Sequence, residues 1–262
     1  MTDIKGKVVW ITGASSGIGE ALAVGASRRG ARLVLSSRRE AELERVKKLC
    51  ANPAEVAVLP LDLTAFDAGA AAAKAAGFFG PVDVLVNNAG ISQRSLLLDT
   101  DMSVYRKILE LDFFATVALT KAVAPAMIAR GGGHVVQISS VVGYLGTPLR
   151  TGYAAAKHAM QGFSEAAAAE LWKQNVRFTV VCPGFIKTNV SRNAITGSGG
   201  AHGKMDESQQ KGMDAMLCAE QIWRGVAANR DEVHVGREKL AIWMKRHFPA
   251  LTRAALRRAK VG

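Results

Sequence analysis

Short runs of β-branched and apolar residues alternate with longer helical patterns along nearly the whole of this 262-residue chain. The runs are apolar on both faces. Such strands need cover on both sides, and intervening helices supply it, which points to a parallel sheet between two helical layers. The expected strands cover 7–12, 32–36, 55–59, 82–86, 134–138, 176–181 and 233–235. The expected helices cover 18–29, 40–49, 65–79, 101–129 and 151–174. Pro125 should kink the fourth of them. No repeat and no linker interrupts the pattern. The fold class is therefore α/β: a doubly wound parallel sheet of about seven strands with right-handed crossovers. It forms a single domain over 1–238, followed by a basic amphipathic tail over 239–262.

The first chemical signal lies where the first strand becomes the first helix, at Thr12-Gly13-Ala14-Ser15-Ser16-Gly17-Ile18-Gly19. Gly13 permits a tight turn, and Gly17 and Gly19 permit close approach to a diphosphate. Ser15, Ser16 and Ile18 lie at the helix start, where unpaired N–H groups and the positive dipole end favour an anion. A glycine-rich turn alone is weak, but strand, turn and helix in series read as a dinucleotide site. An acidic residue ending the second strand would hold the 2′-hydroxyl of NAD. This chain has Ser36-Ser37-Arg38-Arg39 there. Arg38, and secondarily Arg39, match a 2′-phosphate by charge and by a bidentate fork, so the expected cofactor is NADP(H). A solvated helix start is the competing reading of these arginines.

Asp62-Leu63 follows the third strand at the same sheet edge. Asp62 could accept from an adenine amino group, or it, and more readily Thr64, could instead cap the next helix. Asn87-Asn88-Ala89-Gly90 closes the fourth strand, where small residues would let a cofactor cross the strand ends. In isolation it reads as a turn.

The second signal is Tyr153-Ala154-Ala155-Ala156-Lys157, a phenol and an ammonium at i and i+4 on one helix face. A nearby cation favours phenolate and suits the pair to acid–base work. Ser140 lies upstream, after the fifth strand, where a hydroxyl could hold a substrate oxygen. Alone, Tyr-x-x-x-Lys is a common surface pair. Its weight comes from following the glycine turn and Ser140 in order.

Five motifs together resemble the short-chain dehydrogenase/reductase family: TGASSGIG from Thr12, NNAG from Asn87, ISS from Ile138, YAAAK from Tyr153 and PGFIKT from Pro183. The resemblance covers Lys7 to about Val190. Within the family the chain most resembles the membrane-associated member-seven branch, through Pro183 to Asn189 and Asn193-Ala194-Ile195-Thr196-Gly197. The resemblance implies a Rossmann-like fold and a carbonyl–alcohol oxidoreductase acting on a small, hydrophobic substrate. It makes Tyr153 the acid/base. Lys157 would hold the nicotinamide ribose and favour the phenolate, and Ser140, rather than Ser139, would orient the carbonyl. Pro183, Gly184, Ile186 and Thr188 would contact the nicotinamide end. Asn87, Ala89 and Gly90 would lie along the cofactor, with Asn87 and Gly90 at the adenosine-side ribose. Homodimers or homotetramers are common among similar proteins. One departure stands out. Asp112 occupies the place where the family usually has an asparagine. Its added negative charge opposes the phenolate, which leaves a silent NADP(H)-binding scaffold or sensor as the alternative.

Three scattered cysteines, Cys50, Cys182 and Cys218, form no CxxC pair and read as buried hydrophobes in a reduced, cytoplasmic setting. No metal site is expected. The N-terminus lacks a signal-peptide pattern, and no uninterrupted apolar run approaches the ~20 residues of a spanning helix. The net charge is +12, and seven of the basic residues, from Lys239 to Lys260, occur where there is no acidic one. Mixed with Leu240, Trp243 and Phe248, they suit peripheral contact with an anionic membrane, or packing against the body or a partner subunit. Nucleic-acid binding is disfavoured because no reading element accompanies the charge. Residues 191–212, rich in Gly, Ser and Asn, break the α/β rhythm and are expected to be a flexible lid or a disordered loop.

Overall fold

The computed structural model describes residues 2–258. Seven strands form one sheet in the order β3-β2-β1-β4-β5-β6-β7. They are β1 (Val8–Thr12), β2 (Arg32–Ser37), β3 (Val56–Pro60), β4 (Val84–Asn87), β5 (Gly133–Ile138), β6 (Val176–Pro183) and β7 (Glu232–Val235). Every pairing is parallel. The order reverses beside β1, which pairs with both β2 and β4. A crevice opens at such a point because the loops leave β1 and β4 for opposite faces.

Alternate residues of each strand feed two cores. Val9, Ile11, Leu33 and Leu35 pack on one face under α1 (Gly17–Ser27), α2 (Glu40–Leu49) and Trp223 of a later helix. Val8, Trp10, Val34 and Leu85 pack on the other face, under α3 (Ala68–Phe79) and the helix that ends at Ala129. Both faces are apolar because both are covered. The one polar atom that Trp10 carries inward is satisfied, since its indole N–H donates to Ser36 Oγ at 2.9 Å.

Several boundaries move from expectation for readable reasons. Helix α3 begins at Ala68, not Ala65, because the Asp67 carboxylate caps it by accepting from the Ala70 N–H at 2.8 Å. The long fourth helix is α4 (Met102–Leu109) and α5 (Ala115–Ala129) joined by a π turn at Glu110–Phe114. At 28 residues, with an 18-residue stretch of mean hydropathy 1.5, it is long and apolar enough to cross a membrane. Here Ala115, Leu119, Val123 and Met127 instead pack on the sheet. Helix α6 (Thr151–Glu170) stops four residues before its expected end at Gln174.

Two elements exceed the expectation. Helices α7 (Glu207–Gln210) and α8 (Ala215–Ala227) were not foreseen. Asp214 caps α8 by accepting from the Met216 and Leu217 N–H groups at 2.8 and 3.2 Å, and Cys218, Ile222 and Trp223 are its buried side. The C-terminal segment forms α9 (Lys239–His247) and α10 (Pro249–Arg257), divided at Pro249 as its sequence implies. Lys260 of the basic tail lies outside the described residues. The three cysteines are free and buried.

Candidate active site at the strand ends

A cleft of about 790 Å³ runs along the carboxyl ends of the strands, across the point where their order reverses. One end is built from the glycine turn. Gly13 and Gly17 hold φ of +64° and +61°, a conformation that L side chains rarely adopt. Packing makes the same demand: a Cβ on Gly13 would lie 2.8 Å from Ala89 Cα, and one on Gly19 would lie 2.3 Å from the Gly13 carbonyl oxygen. Ser16 caps α1 through its backbone, without a side-chain bond. The first N–H groups of the helix are left without side-chain partners beside a turn packed too tightly to admit a Cβ at Gly13 or Gly19, an arrangement suited to a diphosphate. Ser15, Ser16, Gly17 and Ile18 line this cradle, whereas Gly19 acts behind it, as the contact between helix and turn.

The Asn87–Gly90 turn locks this cradle through a residue the sequence reading did not select. Asn88 Nδ2 donates to the carbonyls of Thr12 and Gly13 at 3.0 and 3.2 Å. Thr12 Oγ1 in turn accepts from the N–H groups of Asn88 and Ala89. Asn87 itself is a correction. It points away from the cleft, 2% exposed, and donates to Thr120 Oγ1 on α5. Strand alternation explains the exchange, because neighbours in an extended segment face opposite ways. Ala89 and Gly90 do line the cleft.

Arg38 and Arg39 are exposed and line the same end. Arg39 donates to Ser15 Oγ at 3.3 Å, which ties the end of β2 to the glycine turn. Asp62 and Leu63 line the wall beside them. Asp62 accepts from the N–H and hydroxyl of Thr64, and these bonds hold its carboxyl below the usual range. It does not cap α3, since Asp67 does.

At the middle of the cleft, β5 delivers Ser139 and Ser140 to opposite duties. Ser139 is buried and donates to the Lys157 carbonyl at 3.4 Å. Ser140 lines the cleft, its hydroxyl accepting from the Val142 N–H at 3.1 Å and left with its own proton to donate. Tyr153 and Lys157 lie on α6, with the ammonium 5.5 Å from the centre of the phenol ring. Lys157 is 3% exposed. It donates to the Ile138 carbonyl at 3.1 Å and lies 3.3 Å from Asp112 Oδ2.

The π turn places Asp112 there, fully buried, with Oδ1 accepting from the Ile91 N–H at 2.8 Å. Gly90 has to be glycine for the same reason: a Cβ would meet Asp112 Oδ2 at 2.7 Å. Burial pushes the Asp112 carboxyl above its usual range, against the pull of Lys157. Burial also opposes the Lys157 ammonium, but the charges of Asp112 and Tyr153 outweigh it and the lysine is held above its ordinary value.

The far wall is Pro183 to Thr188, which leaves β6. Pro183, Gly184, Ile186 and Thr188 all line the cleft. The Ile186 carbonyl accepts from Gln209 Nε2, and Thr188 Oγ1 accepts from the same amide at 3.3 Å. Gln209, on α7, was not foreseen as a site residue. It belongs to 191–212, which is not a bare loop. Ile195 bridges to Gln93 and Ala201, and the Asp101 N–H donates to the Gly197 carbonyl at 2.9 Å. The segment is bonded to the loop after β4 and lines the cleft through Arg192, Asn193, Ile195, Ala201 and Gln209. Ala241 of α9 and Leu256 of α10 complete this end of the cleft, against Leu145 and Val141.

These features agree with what the chain is similar to. Residues 7–198 match the short chain dehydrogenase family. The Drosophila melanogaster protein named Dehydrogenase/reductase SDR family protein 7-like is 42% identical over 256 residues, spanning 95% of this chain and 78% of that one. Human Dehydrogenase/reductase SDR family member 7 is 47% identical over 197 residues, which are 72% of this chain and 58% of that protein. Among solved structures, a short chain dehydrogenase/reductase from Burkholderia phymatum in complex with NAD superposes with a TM-score of 0.85 at 26% identity, covering 96% of each chain. One from Streptomyces avermitilis gives 0.83 at 28% identity, covering 98% and 96%. The chain belongs to the short-chain dehydrogenase/reductase family, with relatives named member 7 and 7B.

Proposed function

We propose that this protein is an NADP(H)-dependent oxidoreductase that interconverts a carbonyl and an alcohol. The observation that carries the reading is the meeting of Ser140, Tyr153 and a buried Lys157 in the one cleft whose other end is the glycine cradle. A bound nicotinamide cofactor would supply the hydride in reduction and accept it in oxidation. In reduction the Ser140 hydroxyl donates to the substrate carbonyl oxygen and holds it beside Tyr153. The Tyr153 O–H then gives that oxygen its proton, and in oxidation the phenolate takes it back. The Lys157 ammonium would stabilise the phenolate and would donate to a ribose hydroxyl of the bound cofactor. Val141, Leu145 and Phe185 supply an apolar wall that excludes water.

Preference for NADP(H) rests on the end of β2. Arg38 and Arg39 stand at the cleft where a carboxylate would select NAD, and Ser36 and Ser37 precede them. Asp62, the carboxylate that lines this end of the cleft, is occupied by Thr64.

A second surface supports a peripheral membrane role. The inner side of the α9–α10 pair is anchored by buried Ile242 and Thr252. Its other side exposes Leu240, Trp243, Phe248 and Leu251, next to Arg246 and Arg253. Apolar side chains interleaved with cations suit an anionic lipid surface.

Four outcomes test these readings. NADPH oxidation against a panel of ketones and aldehydes should show turnover, and Tyr153→Phe should lower it by about a hundredfold or more while NADPH still binds. Unchanged turnover in that variant would reject the acid/base role, and a wild type silent on the whole panel would favour the scaffold reading. Arg38→Ala should weaken NADPH by about tenfold or more and leave NADH little changed, as read by fluorescence titration. Equal losses would argue against a 2′-phosphate contact. In Asp112→Asn, burial of Lys157 is no longer offset by a carboxylate, so its ammonium should deprotonate more readily. The alkaline limb of the pH–kcat/KM profile should move to lower pH by about one unit or more; a stationary limb would show that the pair does not set it. Finally, Trp243→Ser with Leu251→Ser should abolish co-sedimentation with phosphatidylserine vesicles. If the wild type does not sediment with them, the membrane role is wrong.

A further inference from the structure

The substrate end of the cleft holds an arrangement that hydride transfer does not require. Arg94, Arg150 and Asp206 all meet there, with Arg94 and Arg150 on the cleft wall near Tyr153. Arg94 is saturated. Its Nε and Nη2 donate to Asp206 Oδ2 at 3.1 and 2.5 Å, and its Nη1 donates to Ser92 Oγ and the Gln93 carbonyl at 2.9 and 2.7 Å. With a side chain 6% exposed, it serves as a fixed brace for residues 191–212.

Arg150 is different. Its Nη2 shares the same Asp206 oxygen at 3.2 Å, and its Nη1 reaches Thr147 Oγ1 at 3.3 Å. Two of its five N–H groups are thus used among the described residues, while its side chain is only 21% exposed. It is the N-cap residue of α6, three residues before Tyr153, and lines the same cleft as the phenol. Two guanidinium groups share one carboxylate, and burial together with Arg94 disfavours the Arg150 charge. A half-buried cation with spare donors facing a cleft is well matched by an anion.

We propose that Arg150 is an anion-recognition residue, and that the substrate is a keto acid, or its hydroxy acid, whose carboxylate lies against Arg150 while its carbonyl faces Ser140 and Tyr153. The inference rests on the oxidoreductase reading and narrows its substrate class. A carboxylate fits for two reasons. Its planar, paired oxygens match the free edge of a guanidinium fork. Its single charge balances the surplus of one, whereas a phosphate dianion would add a charge against Asp206, which stays ionised through its bonds to Arg94. The apolar wall of Val141, Leu145 and Phe185 would take the hydrocarbon between the two ends.

The test compares straight-chain keto acids of increasing length with their methyl esters. Wild-type kcat/KM should favour the acid of the best length over its ester by about tenfold or more. In Arg150→Gln that ratio should collapse toward one, chiefly through KM, and Arg150→Lys should restore part of it. An acid-to-ester ratio near one in the wild type at every length would overturn the proposal. So would a preference undiminished in Arg150→Gln. Calorimetric titration of the same acids and esters into the wild-type protein provides a readout independent of turnover. Should no compound be reduced, yet acids alone bind and Arg150→Gln lose them, the anion site stands and the redox reading falls. Binding of neither, or of both alike, rejects the site.

Discussion

A lysine ammonium buried at the end of a parallel sheet is costly, and the geometry of this site follows from making it tolerable. Removing an ion from water costs several kcal/mol even after relaxation. Lys157 recovers it from the Ile138 carbonyl and from Asp112 at 3.3 Å. Asp112 can reach that point only because the long helix takes a π turn there, and only because residue 90 has no side chain. One charge therefore links β5, α6, the π turn and the turn after β4. It also fixes Tyr153, one helical turn away, at the cleft.

The second organising constraint is steric. The turn after β1, the turn after β4 and the loop after β6 approach each other so closely that Gly13 faces Ala89 and Gly17 faces Thr188, while Gly90 faces Asp112 of the π turn. This is the point where the strand order reverses, so close packing of loops and exposure of helix N–H groups occur together. A dinucleotide site and a proton-transfer site become neighbours because both are placed at the same edge by one topology.

Compared with the family's usual asparagine, Asp112 changes the electrostatics without removing the acceptor. Its Oδ1 still receives the Ile91 N–H, and its second oxygen faces the ammonium directly. A neutral amide would leave burial of Lys157 less compensated. The carboxylate thus keeps the lysine charged while adding negative charge near the phenol, so two opposed effects share one side chain.

Short runs apolar on both faces, alternating with helical patterns, determined the parallel sheet, because strands with no solvent face need a helical layer on each side. The order Gly13–Gly19, Ser140, Tyr153 and Lys157 was also readable, because those residue types act through local strand, turn and helix geometry. Contacts between distant segments were not. Whether Asn87 or Asn88 faced the cradle depended on where β4 ends, and the alternation then decided it. The start of α3 depended on Asp67 outcompeting Asp62 and Thr64 for a helix end. Helix α8 carried a legible Asp214 cap and an apolar stripe at Cys218, Ile222 and Trp223, yet the polar stretch before it masked the change of rhythm. The bonding of 191–212 to the loop after β4, and the pairing of Arg94 with Arg150 across Asp206, join residues 56 and 112 positions apart. Local pattern carries no information about such pairs; only the folded chain brings them within reach of a shared carboxylate.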